Sequence, residues 1–218
     1  MSSAVIQLLV LAAIAVFLIL KLRSVLGTRD GFEKPDQPTP EARPVNRDFE
    51  VIEGGHDSDI IDHVPQHSPA AEAFAAMKGA EPGFSVTEFL GGARGAYEWI
   101  LMAFEKGKMD DIVPLLSKEV YESFQAVVDA REAKGLTIES AFIGLRESNL
   151  QDATFDPRTG VAEITIRYVA EMTHVVRNAE GIIVEGSPTE IKRQRDIWTF
   201  ARKMGANDPN WQLVATGE

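Results

Sequence analysis

The sequence contains no cysteine among its 218 residues. This absence excludes disulfide bonds, thiolate nucleophiles, and zinc or iron–sulfur sites held by cysteine. Positive charge is also scarce, with 22 Lys and Arg against 33 Asp and Glu, and the formal net charge is -11. Because proteins gain affinity for nucleic acid by neutralising phosphates, this charge argues against nucleic acid as a partner.

Motifs for catalysis and metal binding are missing as well. The sequence has no Ser-centred nucleophile elbow, no phosphate-binding glycine loop and no paired-carboxylate motif. His63 and His67 have the spacing of metal ligands on a helix, but Pro65 between them disfavours that helix. We therefore predict no enzyme, no catalytic residue, no metal and no cofactor.

One long apolar run, residues 4–20, is followed by Lys21, Arg23 and Arg29. At about 1.5 Å per residue it nearly spans a hydrocarbon core of about 30 Å. A cleaved signal peptide carries its basic residues before the run rather than after it. Because basic flanks stay in the cytoplasm, we predict a single-pass anchor over residues 1–26 of a cell inner membrane, with the N-terminus outside and the remaining chain cytoplasmic.

Residues 27–68 have the composition of a linker. The stretch Asp30–Asp62 holds ten carboxylates against three basic residues, and four prolines lie between residues 35 and 44. This composition disfavours both helices and strands. We therefore predict an acidic disordered linker over 27–68, followed by one folded domain over 69–218.

The predicted domain begins with a short helical pattern over Pro69–Lys78. Phe74 and Met77 lie on one stripe of this helix. Because so short a helix needs a surface to lie on, these two residues are candidates for lipid or partner contact.

Two longer helical patterns follow. Ser85 starts the first with a capping box, and Gly107 ends it; Ser117 caps the second. Within the first, a line of Gly92, Gly95, Trp99 and Met102 predicts close packing on a second side, since each interior glycine costs about 1 kcal/mol relative to alanine.

After Gly135 the apolar period changes from helical to strand-like. The pattern predicts strands from residue 136 onward, over Val161–Val176, over Glu190–Lys203 and over Trp211–Thr216. On the second, the even-numbered residues from 162 to 176 form an apolar face. Helices followed by strands predict an α+β fold.

The segments Asp196–Arg202 and Pro209–Leu213, joined by a short polar loop, resemble the end of the Tim44-like domain. Pro114–Phe124 resembles a part of its first half. The resemblance covers residues 70 to 217 and, with the anchor and acidic linker, is to the short bacterial branch of the family. It implies a cystatin-like cone, shared with nuclear transport factor two, in which N-terminal helices pack on a curved antiparallel sheet around an apolar pocket.

The resemblance also implies a function: a membrane-tethered adaptor or scaffold that binds protein partners in translocation or membrane-protein assembly. The long charged N-terminal region that recruits a chaperone in the mitochondrial import-motor scaffold has no counterpart here. Two alternatives remain open: a binder of a small molecule or lipid, or an enzyme, that uses the pocket of the cone, and a membrane receptor for ribosomes. The acidic composition weakens the last, because ribosomal RNA requires a basic surface.

Two sets of candidate site residues follow from the strands. Aromatic and apolar-face residues are candidates either for core anchoring or for pocket lining: Tyr168, Met172, His174, Trp198, Phe200 and Trp211. Basic residues crowd the strand Glu190–Lys203 and are candidates for contact with anionic lipid or a partner: Lys192, Arg193, Arg195, Arg202 and Lys203. The alternative for the basic set is a solvated charge ladder with the acidic residues Glu163, Glu171, Glu190 and Asp196.

Overall fold

The computed structural model describes residues 57–217. Helix α1 spans Ser58–Ile61, α2 Pro69–Ala80, α3 Val86–Glu105 and α4 Lys118–Ala133, with a 3-10 helix at Met109–Leu115 between α3 and α4. The strands are β1 Thr137–Asp156, β2 Val161–Arg177, β3 Ile183–Lys203 and β4 Gln212–Gly217. The predicted anchor, residues 1–26, lies outside the described residues, and none of the helices described is long and apolar enough to cross a membrane.

The four strands form one antiparallel sheet in the order β1-β2-β3-β4, so that each strand pairs with its neighbour in sequence. Helices pack on this sheet through a shared hydrophobic core. Tyr97 and Ile100 of α3 are fully buried there, as are Ile164 and Ile166 of β2. The α+β class predicted from the order of the elements is confirmed.

The predicted alternation of β2 is confirmed over residues 161–168, whereas residues 168–172 are all buried. Ala162, Ile164, Ile166 and Tyr168 are fully buried, while Glu163 between them is exposed. A strand points successive side chains to opposite faces, and the helices cover one face of this sheet. The period of two in the sequence therefore identified the side of β2 that meets the core.

The predicted starts of α3 and α4 are confirmed by their caps. The Ser85 hydroxyl accepts a hydrogen bond from the Glu88 N–H at 3.2 Å, and the Ser117 hydroxyl accepts one from the Val120 N–H at 3.3 Å. Each cap satisfies an amide that the first turn of a helix leaves without a partner. Gly135, which follows α4, has a φ of 65°.

The described residues include folded structure before the predicted boundary at residue 69, while residues 27–56 of the predicted linker lie outside them. Helix α1 and the turn after it pack on the domain through Ile60 and Val64, whose exposed fractions are 6% and 8%. The Asp59 carboxylate accepts hydrogen bonds from the backbone N–H groups of Val86 and Thr87 at 2.8 and 2.9 Å. The prediction of a disordered linker is therefore wrong for residues 57–68, because these contacts compensate the cost of ordering an acidic segment.

Asp59 is held in its charged form at this position. Desolvation opposes ionisation, but the hydrogen bonds from Lys78, Thr87 and Val86 outweigh it and lower the pKa of Asp59 well below its ordinary value of 3.8. The Lys78 ammonium lies 2.7 Å from the Asp59 carboxylate. This carboxylate thus fastens α1 to the first turn of α3, where a helix favours negative charge.

Strand β3 begins at Ile183, earlier than the predicted start at Glu190. Between the pairs His174↔Ser187 and Met172↔Lys192, one residue of β2 faces four residues of β3. This bulge interrupts the period of two, which is why the sequence pattern identified only the part of the strand that follows it. Strand β4 begins at Gln212, one residue after its predicted start at Trp211.

The predicted close packing along Gly92, Gly95 and Trp99 of α3 is wrong. A Cβ atom added at Gly92 or Gly95 would meet no atom within 4 Å. The Trp99 side chain is 54% exposed. Within residues 57–217, no element therefore covers this side of α3.

Candidate functional site

A cavity of about 440 Å³ lies where α3, α4, β2, β3 and β4 meet. Its volume is within the usual range of ligand-binding sites, about 300 to 1,000 Å³. Polar groups and aromatic rings both contribute to its lining, which consists of Leu101, Phe104, Glu105, Phe124, Met172, His174, Lys192, Gln194, Asp196, Trp198, Thr216 and Gly217.

The first polar cluster joins Glu105 at the end of α3 to Ser140 of β1 and His174 of β2. Glu105 Oε2 lies 2.7 Å from His174 Nδ1 and also accepts a hydrogen bond from the Ser140 hydroxyl. A carboxylate oxygen accepts hydrogen bonds and does not donate them, so the proton shared between His174 and Glu105 is on His174 Nδ1. The Glu105 side chain is only 10% exposed, and these two bonds hold it at the cavity wall.

This cluster does not have the geometry of a Ser–His–carboxylate triad. In a triad the serine hydroxyl and the carboxylate bind different nitrogens of the imidazole, so that the ring can pass a proton between them. Here Ser140 Oγ, at 3.3 Å, and Glu105 Oε2 both lie beside the same atom, His174 Nδ1. The arrangement therefore positions Glu105 and does not activate Ser140.

The second polar cluster surrounds Asp196 of β3. The Tyr97 hydroxyl donates to Asp196 Oδ2 at 2.6 Å, and the Gln194 amide donates to Oδ1 at 3.0 Å. Burial, together with this hydrogen bond to Asp196, raises the pKa of Tyr97 well above its ordinary value of 10.0. Tyr97 thus remains a neutral donor that holds the Asp196 carboxylate at the cavity.

Aromatic rings form the apolar part of the lining. The Phe104 and Phe124 rings lie 4.6 Å apart between their centroids. The Arg131 guanidinium stacks over Phe104 at 4.2 Å, and burial of this cation lowers the pKa of Arg131. Trp198 completes the apolar wall on the sheet side. The cavity therefore combines two carboxylates with three aromatic side chains.

Three of the six predicted pocket residues line this cavity, namely Met172, His174 and Trp198. Tyr168 instead lies in the core, where its hydroxyl donates to the Ala93 carbonyl at 3.2 Å and burial raises its pKa. Phe200 is likewise buried in the core, where it lines a smaller, separate cavity of about 280 Å³ together with Trp211.

Trp211 is only partly buried and lies outside the larger cavity. Its ring centroid is 4.6 Å from that of Phe89, and the Arg202 guanidinium lies 5.2 Å from the Trp211 ring. Leu213, rather than Trp211, is the residue of β4 that pairs with Phe200. Trp211 therefore supports the loop before β4.

Sequence reasoning missed the acidic residues of the cavity, Glu105 and Asp196, and the tyrosine that holds Asp196. In the sequence, Glu105 and His174 are separated by 69 positions, and Tyr97 and Asp196 by 99. A signal was present in Asp196 itself, which interrupts the alternating aromatic pattern of β3. A carboxylate on the core-facing side of a strand requires a hydrogen-bond partner.

The predicted basic cluster divides between two environments. Lys192, Arg193, Arg195 and Lys203 are exposed, whereas the Arg202 side chain is only 8% exposed. Arg202 bonds Glu81 at 2.7 Å and the Pro209 carbonyl at 3.2 Å. The prediction of Arg202 as a surface contact is therefore wrong, because it fastens the end of α2 to the loop between β3 and β4.

The outer face of the sheet carries part of the alternative charge ladder. Glu171 lies 2.7 Å from Arg146 and 3.4 Å from Arg193. These bonds lower the pKa of Glu171, the largest effect coming from Arg146. Asp196, by contrast, belongs to the cavity and not to this ladder.

Phe74 and Met77 are fully buried against the core. The prediction that they contact lipid or a partner is therefore wrong, because α2 already lies on the domain through these side chains. Among residues 57–217, no group of three or more His, Asp or Glu side chains is placed to hold a metal ion.

Residues 70–218 match the Tim44-like domain. The chain belongs to the Tim44-like domain family. Over 117 residues it is 25% identical to the mitochondrial import inner membrane translocase subunit TIM44 of Homo sapiens. That alignment covers 53% of this chain and 25% of the human protein, so the chain matches about a quarter of its relative's length.

A solved structure with a similar chain trace is the crystal structure of the intermembrane space region of the chloroplast protein ARC6. It aligns with a TM-score of 0.37 and 10% sequence identity. The alignment covers 57% of this chain and 94% of the ARC6 chain.

Proposed function

We propose that this member of the Tim44-like domain family is a membrane-tethered adaptor, without enzymatic activity, that binds protein partners at an inner membrane during protein translocation or membrane-protein assembly. The observation that carries the proposal is the family match, which extends from residue 70 to the last residue of the chain. The relative named as a subunit of an inner membrane translocase supports the same setting.

The surface of the domain supports partner binding. Four large apolar side chains are more than half exposed: Trp99 on α3, Ile182 and Val184 near the start of β3, and Ile191 within β3. Ile182, Ile183 and Val184 are consecutive exposed apolar residues, and such a group is typical of interaction sites. The proposed partners therefore have surfaces on both α3 and the β2–β3 hairpin to contact.

Membrane attachment is the second part of the proposal. In this proposal, the apolar run within residues 1–26 serves as a single-pass anchor and the folded domain is cytoplasmic. Lys192, Arg193, Arg195 and Lys203 are exposed and could each contribute about 1 kcal/mol near anionic lipid. Such contact would hold the domain close to the bilayer that its anchor enters.

Site-specific photo-crosslinking in native membranes tests the adaptor proposal. A photoreactive residue at Trp99 or Ile191 should capture a defined set of proteins of membrane translocation or assembly, identified by mass spectrometry. The same residue at Glu122, an exposed position of α4, is the matched control. An identical, unselective set of proteins from all three positions would contradict the proposal.

The cavity supports a second candidate function, the binding of a small molecule or lipid. Its volume and mixed lining are typical of a ligand site. Fatty-acid titration followed by tryptophan fluorescence tests this candidate, since Trp198 lines the cavity and should respond to an occupant.

A further inference from the structure

The cavity presents more hydrogen-bond acceptors than donors. Both hydrogen bonds to Glu105 end on Oε2, so Oε1 keeps its lone pairs for a ligand. Asp196 contributes a second carboxylate. The N–H group at His174 Nδ1 already donates its hydrogen bond to Glu105. Among the lining residues Lys192 carries the positive charge, and it is exposed at the rim; Arg131 attracts Glu105 electrostatically but does not line the cavity. Such a lining favours a ligand that donates hydrogen bonds and carries positive charge.

The aromatic rings favour the same class of ligand. Phe104, Phe124 and Trp198 line the cavity beside the two carboxylates. The face of an aromatic ring attracts a cation, and the Arg131 guanidinium already occupies one face of Phe104. An ammonium or guanidinium group with an aliphatic stem therefore fits both parts of the lining: the charge meets the carboxylates and the stem meets the rings.

A free sheet edge runs directly beside this cavity. Strand β4 pairs with β3 only from Ile197 to Ala201. Within residues 57–217, no strand pairs with that side of β3 from Ile183 to Asp196. Thr216 and Gly217, at the end of β4, line the cavity together with Lys192 and Gln194 of β3. A strand placed in line with β4 would therefore pass over the cavity mouth.

We propose that the cavity and the free edge of β3 form one binding site for an extended segment of a partner protein. The segment adds to the sheet as a further strand beside β3 and places a lysine or arginine side chain in the cavity. Backbone hydrogen bonds then supply affinity and the cavity supplies specificity, as in other cases of strand addition. This inference rests on the proposed adaptor function and specifies the chemistry of its partner.

The two faces of the sheet specify the pattern of the segment further. Even-numbered residues of β3 line the cavity, whereas Arg193 and Arg195 lie between them and are exposed. In an added strand, the neighbours of the cationic side chain lie on the Arg193 side of the sheet. Arg195, together with Arg193, whose contact with Glu171 is as long as 3.4 Å and whose side chain is 66% exposed, favours acidic side chains at these neighbouring positions. The preferred core sequence is therefore Glu-Lys-Glu or Glu-Arg-Glu.

Peptide binding to the full chain in detergent tests this site. The probe is a blocked peptide, Thr-Val-Thr-Glu-Lys-Glu-Thr-Val-Thr, and the reference probe has norleucine in place of its lysine. Replacing the lysine should weaken binding about tenfold or more, the usual effect of losing hydrogen bonds to a charged group. A third peptide, methylated on alternate backbone nitrogens, should not bind because it cannot pair with the edge.

The protein variants provide the matching controls. Glu105→Gln should weaken binding of the lysine peptide about tenfold and leave the norleucine peptide unaffected. Glu98→Gln, on an exposed position of the same helix and outside this cavity, should change neither. If Glu105→Gln fails to fold, the comparison between the lysine and norleucine peptides on the unaltered protein still tests whether the cavity binds a lysine side chain.

Equal affinity for the lysine and norleucine peptides would overturn the inference, as would absence of binding by both. If photo-crosslinking at Trp99 still captured translocation partners in that case, the adaptor proposal would stand while this site failed. Saturation of the cavity by a fatty acid with no response to the lysine peptide would also overturn the inference, in favour of a lipid site.

Discussion

Gly186 holds a backbone conformation that its position in β3 imposes. Its φ is 76°, in the left-handed region that residues with a Cβ atom rarely adopt. A Cβ atom there would also clash with the backbone carbonyl of His174, the residue that positions Glu105. The β2–β3 hairpin therefore requires glycine at position 186.

Gly186→Ala should therefore lower the free energy of unfolding by about 2 kcal/mol or more, because the left-handed conformation and the clash both act against alanine. Gly181→Ala is the matched control, since Gly181 has a φ of 77° but no atom within 4 Å of its added Cβ. It should cost about 1 kcal/mol. Denaturant unfolding measures both values, and equal losses would contradict the clash.

The two tryptophans of the C-terminal strands should differ in their contribution to stability. Trp198 is 3% exposed, so Trp198→Ala should cost about 3 to 5 kcal/mol. Trp211 is only partly buried, and Trp211→Ala should cost about half as much. Thermal or denaturant unfolding of both variants checks this order; a larger loss at Trp211 would contradict the assignment of Trp198 to the core.

Ionisation of Asp59 should make the free energy of unfolding depend on pH in the acid range. Its pKa is lowered in the folded state, so its stabilising contribution is full above its ordinary pKa of 3.8 and is lost as the pH falls toward its folded pKa. Asp59→Asn should lower the free energy of unfolding at neutral pH by about 2 kcal/mol and flatten its fall below about pH 4. Asp62→Asn, exposed in the same segment, should do neither.

At the scale of elements, α1 is a part of the domain rather than of the linker. The side chains of Ile60 in α1 and of Val64 in the turn after it are buried, and Asp59 binds the first turn of α3. Burying a large aliphatic side chain stabilises a fold by about 1.5 to 3 kcal/mol. The segment 57–68 therefore contributes to the stability of the domain through two buried aliphatic side chains and the Asp59 carboxylate.

A variant that begins at residue 69 should unfold at a lower denaturant concentration than one that begins at residue 52. The expected loss is about 3 kcal/mol, because the buried side chains of α1 and the Asp59 carboxylate are removed together. Unfolding followed by tryptophan fluorescence compares the two variants. Coincident transitions would show that α1 contributes nothing to the domain.

The sequence predicted those elements whose signals are local. Ser85 and Ser117 cap their helices through residues only three positions away, and the buried face of β2 follows from its own alternation. The cavity could not be predicted in this way, because Glu105, Ser140 and His174 come from three different elements. The early part of β3 was missed for a different reason: its bulge removes the period on which strand prediction depends.

At the scale of the whole molecule, the charge pattern around residues 4–20 predicts the side of the membrane on which the domain works. Lys21, Arg23 and Arg29 follow the apolar run. Because basic flanks remain cytoplasmic, a reporter that is active only outside the cytoplasm should be silent when fused after Glu218. The same reporter fused before Met1 should be active. The reverse result would place the partners of the domain on the other side.

The sheet also bears on how the protein is made. Each strand pairs with its neighbour in sequence, so every hairpin can close as soon as its second strand has left the ribosome. The bond between Glu81 and Arg202 is different, since 121 positions separate the two residues. Synthesis must reach the end of β3 before α2 can be fastened to it. Because closing a contact over so many residues costs more chain entropy than closing a hairpin, the bond between Glu81 and Arg202 should form later during synthesis than the β1–β2 hairpin.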